Sequence, residues 1–114
     1  MHEFSVANSL LRLIEENVRQ NHGKSVIKVV VKVGVLSGIE PHLLKVAFDH
    51  LKERSVADKS ELIIEVQQVL IRCRECGYTG EVEDYQFVCK ECGSHQLDIL
   101  DGKDMVLKSI QMEA

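Results

Sequence analysis

Two pairs of cysteines are the residues in this sequence whose spacing is best suited to chemistry. Cys73 and Cys76 form one pair and Cys89 and Cys92 form the other, with two residues inside each pair and twelve between the pairs. Two intervening residues allow both thiolates of a pair to bind one ion, and the glycine after each second cysteine permits a tight turn. Four thiolates fill a tetrahedral Zn(II) ion at about 2.3 Å and leave no position for water or substrate. The spacing therefore predicts a structural zinc site.

Two other interpretations of the cysteine pairs remain open at this stage. Iron bound by the same four thiolates would give a rubredoxin-like electron carrier, which the spacing does not exclude. A nucleic-acid-binding zinc ribbon needs a basic surface, but residues 70–95 contain three basic and five acidic side chains, the wrong sign for contact with phosphates. His95, three residues beyond Cys92, could replace one thiolate under acid conditions, although a solvated turn histidine is the simpler interpretation.

The first three residues, Met1, His2 and Glu3, can form a different kind of site. A free α-amine titrates at about pH 8 and is a usable nitrogen ligand. The next amide nitrogen closes a five-membered chelate ring with that amine, and the His2 imidazole closes a six-membered ring with its own amide nitrogen. The Glu3 amide or its carboxylate would supply a fourth donor. Such a planar, nitrogen-rich set suits Ni(II) or Cu(II).

Composition and charge argue against several classes of function. The 114 residues carry a net charge of −4 and contain no run of lysine or arginine, which argues against nucleic-acid binding. Apolar runs are far shorter than the roughly 20 residues of a membrane span. Because no secretory signal is visible, we expect the protein to stay in the reducing cytoplasm, where cysteines favour metal ligation over disulfides.

Apolar periodicity predicts two helices. Residues 4–22 carry apolar side chains at intervals of three and four from Phe4 onwards, which indicates one buried stripe. Gly23 is expected to end this helix in the left-handed conformation. Pro41 suits the first position of a second helix, because its missing N–H would be unpaired there, and Leu43 is expected on the apolar face of that helix.

Alternation of apolar and polar residues predicts three strands. Residues 26–36 alternate with a period of two from Ile27, which indicates a strand with one apolar face. A second strand is expected to begin at Leu62, with residues 69–72 extending it towards the cysteines. A third strand is expected from Met105. Strands on either side of the cysteine segment are most simply paired within one sheet.

Together these elements predict an α+β fold, in which both helices pack on one face of a three-stranded sheet and the cysteine segment is an inserted zinc-ribbon module. Apolar residues become sparse between Cys73 and about His95, which marks a change of composition. We therefore expect a discontinuous domain formed by residues 1–70 and 98–114, which carries the N-terminal site, and a four-cysteine zinc module formed by residues 71–97.

Three sequence features together resemble the HypA family, the nickel-insertion accessory proteins of [NiFe]-hydrogenase maturation. They are the opening Met-His-Glu-Phe-Ser-Val, the segment from Val33 to Ser37 that leads to an acidic Glu40, and the two cysteine pairs. The resemblance covers essentially the whole chain. The family has the same order of elements as predicted above: an N-terminal metal tripeptide, a two-layer domain, an inserted zinc module and a closing strand. Each motif alone is weak evidence for the family, since cysteine pairs are common in zinc ribbons. Their combination with Met-His-Glu is specific.

The resemblance implies a nickel metallochaperone, with Zn(II) as its structural metal and Ni(II) as its transported metal. Nickel would be bound through His2, with Met1 and Glu3 contributing. Glu40 resembles an acidic position near that site, although a helix-start carboxylate favoured by the helix dipole is an equal interpretation. The implied partners are a HypB-like GTPase and the large subunit of [NiFe]-hydrogenase, and supply of urease is a further option.

No catalytic triad or glycine-rich phosphate loop is visible in the sequence, so we do not expect an enzyme. The competing hypothesis, from a different class, is a zinc-ribbon module that binds protein or nucleic acid without a second metal. The sequence does not give the oligomeric state, and an oligomer is left open.

Overall fold

The computed structural model describes residues 2–113; Met1, Ala114 and the side chain of His2 lie outside the described part. Within that range, two helices and six strands follow in the order α1 (His2–Gln20), β1 (Ser25–Gly34), α2 (Pro41–Leu51), β2 (Glu61–Gln67), β3 (Val69–Cys73), β4 (Thr79–Val82), β5 (Leu97–Asp101) and β6 (Met105–Glu113). Neither described helix is long and apolar enough to cross a membrane. The α+β class is confirmed, with more strands than the sequence periodicity indicated.

The first sheet has β1 at its centre, in the strand order β2-β1-β6. β1 and β2 are parallel, which requires a crossover connection, and α2 supplies it. β6 runs antiparallel along the other side of β1. The strands before and after the cysteine segment therefore join the same sheet, and the prediction that this segment is an insertion is confirmed.

Both helices pack on one face of the first sheet and form the main core with it. Val29, Val31 and Val33 alternate along β1 as buried residues, and they contact buried side chains from both helices. Ala7 of α1 and Ala47 of α2 are almost fully buried, since small side chains allow the helices to approach closely. The remaining buried members of this core are Leu10, Leu11, Ile14, Val18, Val26, Leu44, Phe48, Ala57 and Leu62.

The start of β1 departs from the predicted alternation. Ile27 was expected on the apolar face, but it is 43% exposed, while Val26 is buried. The pairing of β1 with β6 shifts register between Val26 and Lys28. Because a bulge of this kind adds one residue to one strand, the inward positions move by one. The prediction for Ile27 is therefore wrong.

The end of α1 also differs from the prediction. The N–H of Gly23 donates to the carbonyl of Val18 at 2.9 Å, and the N–H of His22 donates to that of Arg19 at 3.3 Å. His22 has a φ of 55°, so His22 holds the left-handed position of this cap, and the prediction for Gly23 is wrong. A Cβ at Gly23 would lie 2.9 Å from the sulfur of Met112, which is part of a flexible side chain that can move aside.

The cysteine segment forms a second sheet, in the strand order β4-β3-β5. β3 pairs antiparallel with β4 and with β5, so the expectation that residues 69–72 extend the strand before them is wrong. The reason is that Val69 and Ile71 pack with Val82 in a separate apolar cluster. A core this small holds a sheet only with help from a metal or another staple. Partly buried residues that pack on this cluster are Val35, Leu36, Tyr78, Phe87 and Leu97.

The two sheets meet where one backbone passes closely over another. A Cβ at Gly34, the last residue of β1, would overlap the main-chain carbonyl group of Gly102. The N–H of Leu36 donates to the carbonyl of Gly102 at 2.8 Å. Across the same junction Lys32 Nζ lies 2.7 Å from Asp101 Oδ2, and this contact lowers the pKa of Asp101. That residues 1–70 and 98–114 form one domain, and residues 71–97 a separate module, stays a prediction.

Gly34→Ala tests the close contact at this junction. The added methyl group would meet main-chain atoms, which cannot move independently of the sheets, so we expect the free energy of unfolding to fall by about 3 kcal/mol. Urea denaturation of the zinc-loaded protein, followed by circular dichroism, measures this change.

Gly38→Ala is the matched control. Gly38 has a φ of +78°, and an added Cβ there would meet nothing within 4 Å. This variant reports only the cost of a left-handed alanine, about 1 kcal/mol. Equal losses in the two variants would contradict a steric limit at Gly34.

Candidate metal centre

Each cysteine pair is folded into the same hydrogen-bonded loop. In the first loop the N–H of Gly77 donates to the carbonyl of Cys73 at 3.0 Å, and the N–H of Cys73 donates to that of Tyr78 at 2.8 Å. In the second loop the N–H of Gly93 donates to the carbonyl of Cys89 at 2.9 Å. Gly77 and Gly93 have φ values of +80° and +75°. The glycine after each pair is therefore required by the turn, as the sequence indicated.

The two loops face each other and bring the four sulfur atoms together. The Sγ atoms of Cys73 and Cys92 are 3.6 Å apart, and those of Cys76 and Cys89 are 3.5 Å apart. All four lie within 4.8 Å of one another. A tetrahedron with Zn–S bonds of about 2.3 Å has edges of about 3.8 Å. The donor set and its spacing therefore fit Zn(II), held by four thiolates with no position left for a substrate.

Hydrogen bonding within the first loop favours the thiolate form of Cys73. The backbone N–H of Cys76 donates to Cys73 Sγ at 3.5 Å, and this bond is the main cause that lowers the pKa of the Cys73 thiol from 9.0 to about 6. The thiolate is the form that binds metals. The loop thus offers one ligand that is ionised at neutral pH, and the other thiols lose their protons on metal binding.

His95 lies outside the sulfur cluster. Its ring Nδ1 is 3.3 Å from the carbonyl oxygen of Phe87, and the side chain is exposed. Within residues 2–113, the group found with metal-ligand spacing consists of the four cysteines. The structure therefore places His95 as a turn histidine beside the cage.

The second predicted site lies at the start of α1. Met1 and the His2 side chain fall outside the described residues, and the backbone of His2 begins the helix. Glu3 is only 6% exposed, and its Oε2 accepts a hydrogen bond from the backbone N–H of Glu40 at 3.0 Å. Two of the predicted site residues, Glu3 and Glu40, are therefore in contact.

Glu40 begins the second helix. Its Oε2 accepts a hydrogen bond from the N–H of Leu43 at 2.8 Å, and Pro41 takes the first helical position. A carboxylate at this position satisfies a free N–H and interacts favourably with the helix dipole. The side chain of Glu40 thus fixes the start of α2 while its backbone holds Glu3. A direct role of Glu40 beside nickel stays a prediction.

The pKa of the Glu3 carboxyl group is lower than usual. The terminal amine, followed by the backbone N–H of Glu40, lowers the pKa of Glu3 from 4.5 to about 2. The sequence motif predicts Glu3 as a ligand and does not reveal its contact with the second helix. The signal was present, because Glu3 precedes Ala7 and Leu10 by four and seven residues and so falls on the buried stripe of α1.

Comparison with known proteins gives one consistent family. A family model described as hydrogenase/urease nickel incorporation, metallochaperone, hypA matches residues 1–112. The hydrogenase maturation factor HypA of Aquifex aeolicus is 52% identical over 113 residues, covering 99% of this chain and 98% of that protein. The protein of the same name from Wolinella succinogenes is 42% identical and covers 100% of this chain and 97% of that protein.

Solved structures agree with these relatives. A solution structure of the Ni metallochaperone HypA from Helicobacter pylori superposes with a TM-score of 0.71 at 32% identity, covering 98% of this chain and 97% of that one. A second solution structure, of a HypA protein, has a TM-score of 0.74, also at 32% identity, and covers 98% and 96% of the two chains.

Replacement of one cysteine tests whether the thiolates hold the second sheet. Cys89→Ser is expected to lose zinc, and with it the hydrogen-exchange protection of the amides in both cysteine loops. The reason is that metal binding supplies roughly 10–16 kcal/mol to a sheet with three buried apolar residues in its cluster. Metal analysis and hydrogen exchange followed by NMR measure the two effects.

Lys90→Ala is the control within the same loop, since Lys90 is exposed and offers no thiolate. This variant should keep its zinc and its protected amides. In Cys89→Ser the amides of β1 should also stay protected, because the first sheet has its own core. Loss of zinc without loss of protection in the cysteine loops would contradict a structural role for the metal.

Proposed function

This chain belongs to the HypA family, the nickel metallochaperones for hydrogenase maturation, and we propose that Met1, His2 and Glu3 bind its nickel. The observation that carries this proposal is the burial of Glu3 and its hydrogen bond to the N–H of Glu40. A side chain three residues from a free terminus is normally mobile. Fixing it against a second helix prepares the terminus to act as a ligand.

The helical backbone at His2 suits amide ligation. The first N–H groups of a helix have no partner within that helix, so a metal can displace the amide proton of His2 without breaking a helical hydrogen bond. The positive end of the helix dipole opposes a bare cation. A deprotonated amide nitrogen carries a negative charge, which offsets this repulsion between the dipole and the cation. The terminal amine, the deprotonated His2 amide and the His2 imidazole together give three nitrogens of the planar set that Ni(II) prefers.

Glu3 has a supporting role in this proposal. Its Oε2 is engaged with Glu40, and the terminal amine is the largest cause that lowers the pKa of its carboxyl group. One carboxylate oxygen therefore orients the terminus, and the other can take the fourth position of the nickel plane. In this proposal Glu40 holds Glu3 in place beside the site and is not itself a nickel ligand.

The zinc cage keeps the second sheet folded and takes no part in nickel chemistry. Four thiolates leave no vacant position, so we propose that the chain performs no catalysis. Any nucleotide hydrolysis belongs to a HypB-like GTPase, and nickel passes from this chain to that partner and to the hydrogenase large subunit, or to urease. We propose the cytoplasm as its compartment, because a reducing environment keeps cysteine thiolates available to a metal.

His2→Ala tests the nickel site itself. Loss of a direct ligand should weaken binding of one Ni(II) per chain by more than about a hundredfold, which exceeds the usual effect of a supporting residue. An extra glycine ahead of Met1 should have a similar effect, because the amine then leaves its chelate ring. Isothermal titration of untagged, zinc-loaded protein measures both affinities.

His42→Ala is the matched control, since His42 is an exposed histidine on α2. It should bind nickel as the unaltered protein does. The proposal fails if the His2 and glycine-extended variants keep full affinity, or if the His42 variant loses as much.

A comparison of Glu3→Gln with Glu3→Ala tests the supporting role. Glutamine keeps an acceptor for the Glu40 N–H but removes the charge, whereas alanine removes both. We expect nickel affinity to fall by about tenfold for glutamine and by up to about a hundredfold for alanine. The number of nickel ions bound should stay at one. Unchanged affinity in Glu3→Ala, measured by the same titration, would show that the contact with Glu40 does not prepare the site.

A further inference from the structure

A cavity of about 760 Å³ lies near the C-terminal end of α1. Its wall is formed by segments that are distant in the sequence, namely residues 24–27 at the start of β1, residues 54–59 beyond α2, and Glu113 at the end of β6. The proposed nickel ligands lie at the other end of α1, about 28 Å away along the helix. The volume is in the range of small-molecule sites, so the cavity is a second candidate site.

Three basic side chains line this cavity without an ion-pair partner. Within residues 2–113, six of the fourteen lysine and arginine residues lie in ion pairs with carboxylates. Lys24, Arg54 and Lys59 are not among the six, although the chain as a whole has a net charge of −4. All three are exposed and line the same cavity. An anion is the ligand that would neutralise them.

Two carboxylates also line the cavity, and they restrict the kind of anion. Glu113 Oε1 accepts a hydrogen bond from the hydroxyl of Ser25 at 2.9 Å. Asp58 lies in no ion pair within residues 2–113, although Lys59 follows it directly. The cavity thus offers cations together with acceptors. A ligand that carries both an anionic group and hydroxyl donors satisfies both, whereas a bare anion meets repulsion from the two carboxylates.

The cavity also has an apolar part of its wall. Ile27 is 43% exposed at the bulge in β1 and lines the cavity. Val56 is half-buried, packs against the main core and lines the same cavity. A carbon skeleton placed on these side chains would remove apolar surface from water. The exposure of Ile27, which the alternation along β1 does not explain, therefore has a use in ligand binding.

The backbone around the cavity is fixed by hydrogen bonds. The N–H of Val26 donates to the carbonyl of Val56 at 2.9 Å, which ties the segment after α2 to β1. Lys52 Nζ donates to the carbonyl of Ser60 at 2.7 Å and closes the same segment. Arg54 has a φ of 65°, which is uncommon for a residue with a side chain and persists where the surroundings fix it. A backbone held in this way lowers the entropy cost of binding a ligand.

We propose that this cavity binds a small organic phosphate. The three basic side chains hold the phosphate group, the carbon skeleton lies against Ile27 and Val56, and the two carboxylates accept hydrogen bonds from its hydroxyl groups. The inference is independent of the proposed nickel site, because the two sites share no residue.

Titration calorimetry of the zinc-loaded, nickel-free protein with ADP and with pyrophosphate tests the site. ADP carries phosphate groups, hydroxyl groups and a carbon skeleton, whereas pyrophosphate carries phosphate groups alone. We expect one ADP per chain, and a dissociation constant for pyrophosphate that is higher by about fivefold or more, because pyrophosphate buries no apolar surface. No binding of ADP, or equal binding of the two probes, overturns the proposal.

Arg54→Gln, Lys59→Gln and Asp58→Asn test the charges with pyrophosphate as probe. Loss of one cation should raise the dissociation constant by about tenfold in each of the first two variants, as for other hydrogen bonds to charged groups. Asp58→Asn should lower it by about threefold, because a like charge is removed. All three positions are exposed, so each variant should fold, which circular dichroism checks. A change in the same direction in all three variants would show a disturbed loop and overturns the proposal.

Arg12→Gln and Lys103→Gln are matched controls, since both residues are exposed and lie outside the cavity. Each removes one positive charge and should bind both probes as the unaltered protein does. Losses as large as those of Arg54→Gln would show a general effect of charge, against a specific site. Ile27→Ser should weaken the binding of ADP alone, and an equal loss for pyrophosphate contradicts a role in holding the carbon skeleton. His2→Ala should keep full affinity for ADP, and loss of that affinity would place the phosphate elsewhere.

Discussion

The hydrogen bond between the Glu3 carboxylate and the backbone N–H of Glu40 is the constraint on which the proposed nickel site depends. A chain terminus can chelate a metal only when its first residues are held in place, since termini otherwise fray. Here α1 begins at His2, and Glu3 fastens its first turn to the start of α2. Glu40 is fixed in turn as the N-cap of that helix. Two helices therefore hold the terminus, and the four thiolates elsewhere need only keep the scaffold folded.

The zinc module supports the same corner of the fold from the other side. Val35 and Leu36 pack on the apolar cluster of the second sheet, and Leu36 is hydrogen-bonded to Gly102. Glu40 follows only four residues after Leu36. The segment that carries Glu40 thus leaves directly from the contact between the two sheets. The zinc module therefore has a structural purpose here, because it anchors the segment that positions Glu3.

Much of the fold and of the zinc site could be predicted from the sequence, because both follow from local periodicity and spacing. The predictions failed where a neighbouring element decided the outcome. A bulge against β6 exposed Ile27, and His22 rather than Gly23 takes the left-handed position at the end of α1. Apolar spacing placed Phe4 and Leu43 on the buried faces of their helices, but both are about half exposed. The contact of Glu3 with Glu40 joins distant parts of the chain, which periodicity does not reveal.

X-ray absorption at the nickel edge of the untagged protein, loaded with one Zn(II) and one Ni(II), tests the central claim most directly. It reports the donor atoms around nickel without any substitution in the chain. The account predicts nitrogen and oxygen donors only, with the outer-shell scattering of one imidazole. Sulfur donors around nickel would place the ion in the cysteine cage, and the absence of imidazole scattering would remove His2 from the site; either result would contradict the account.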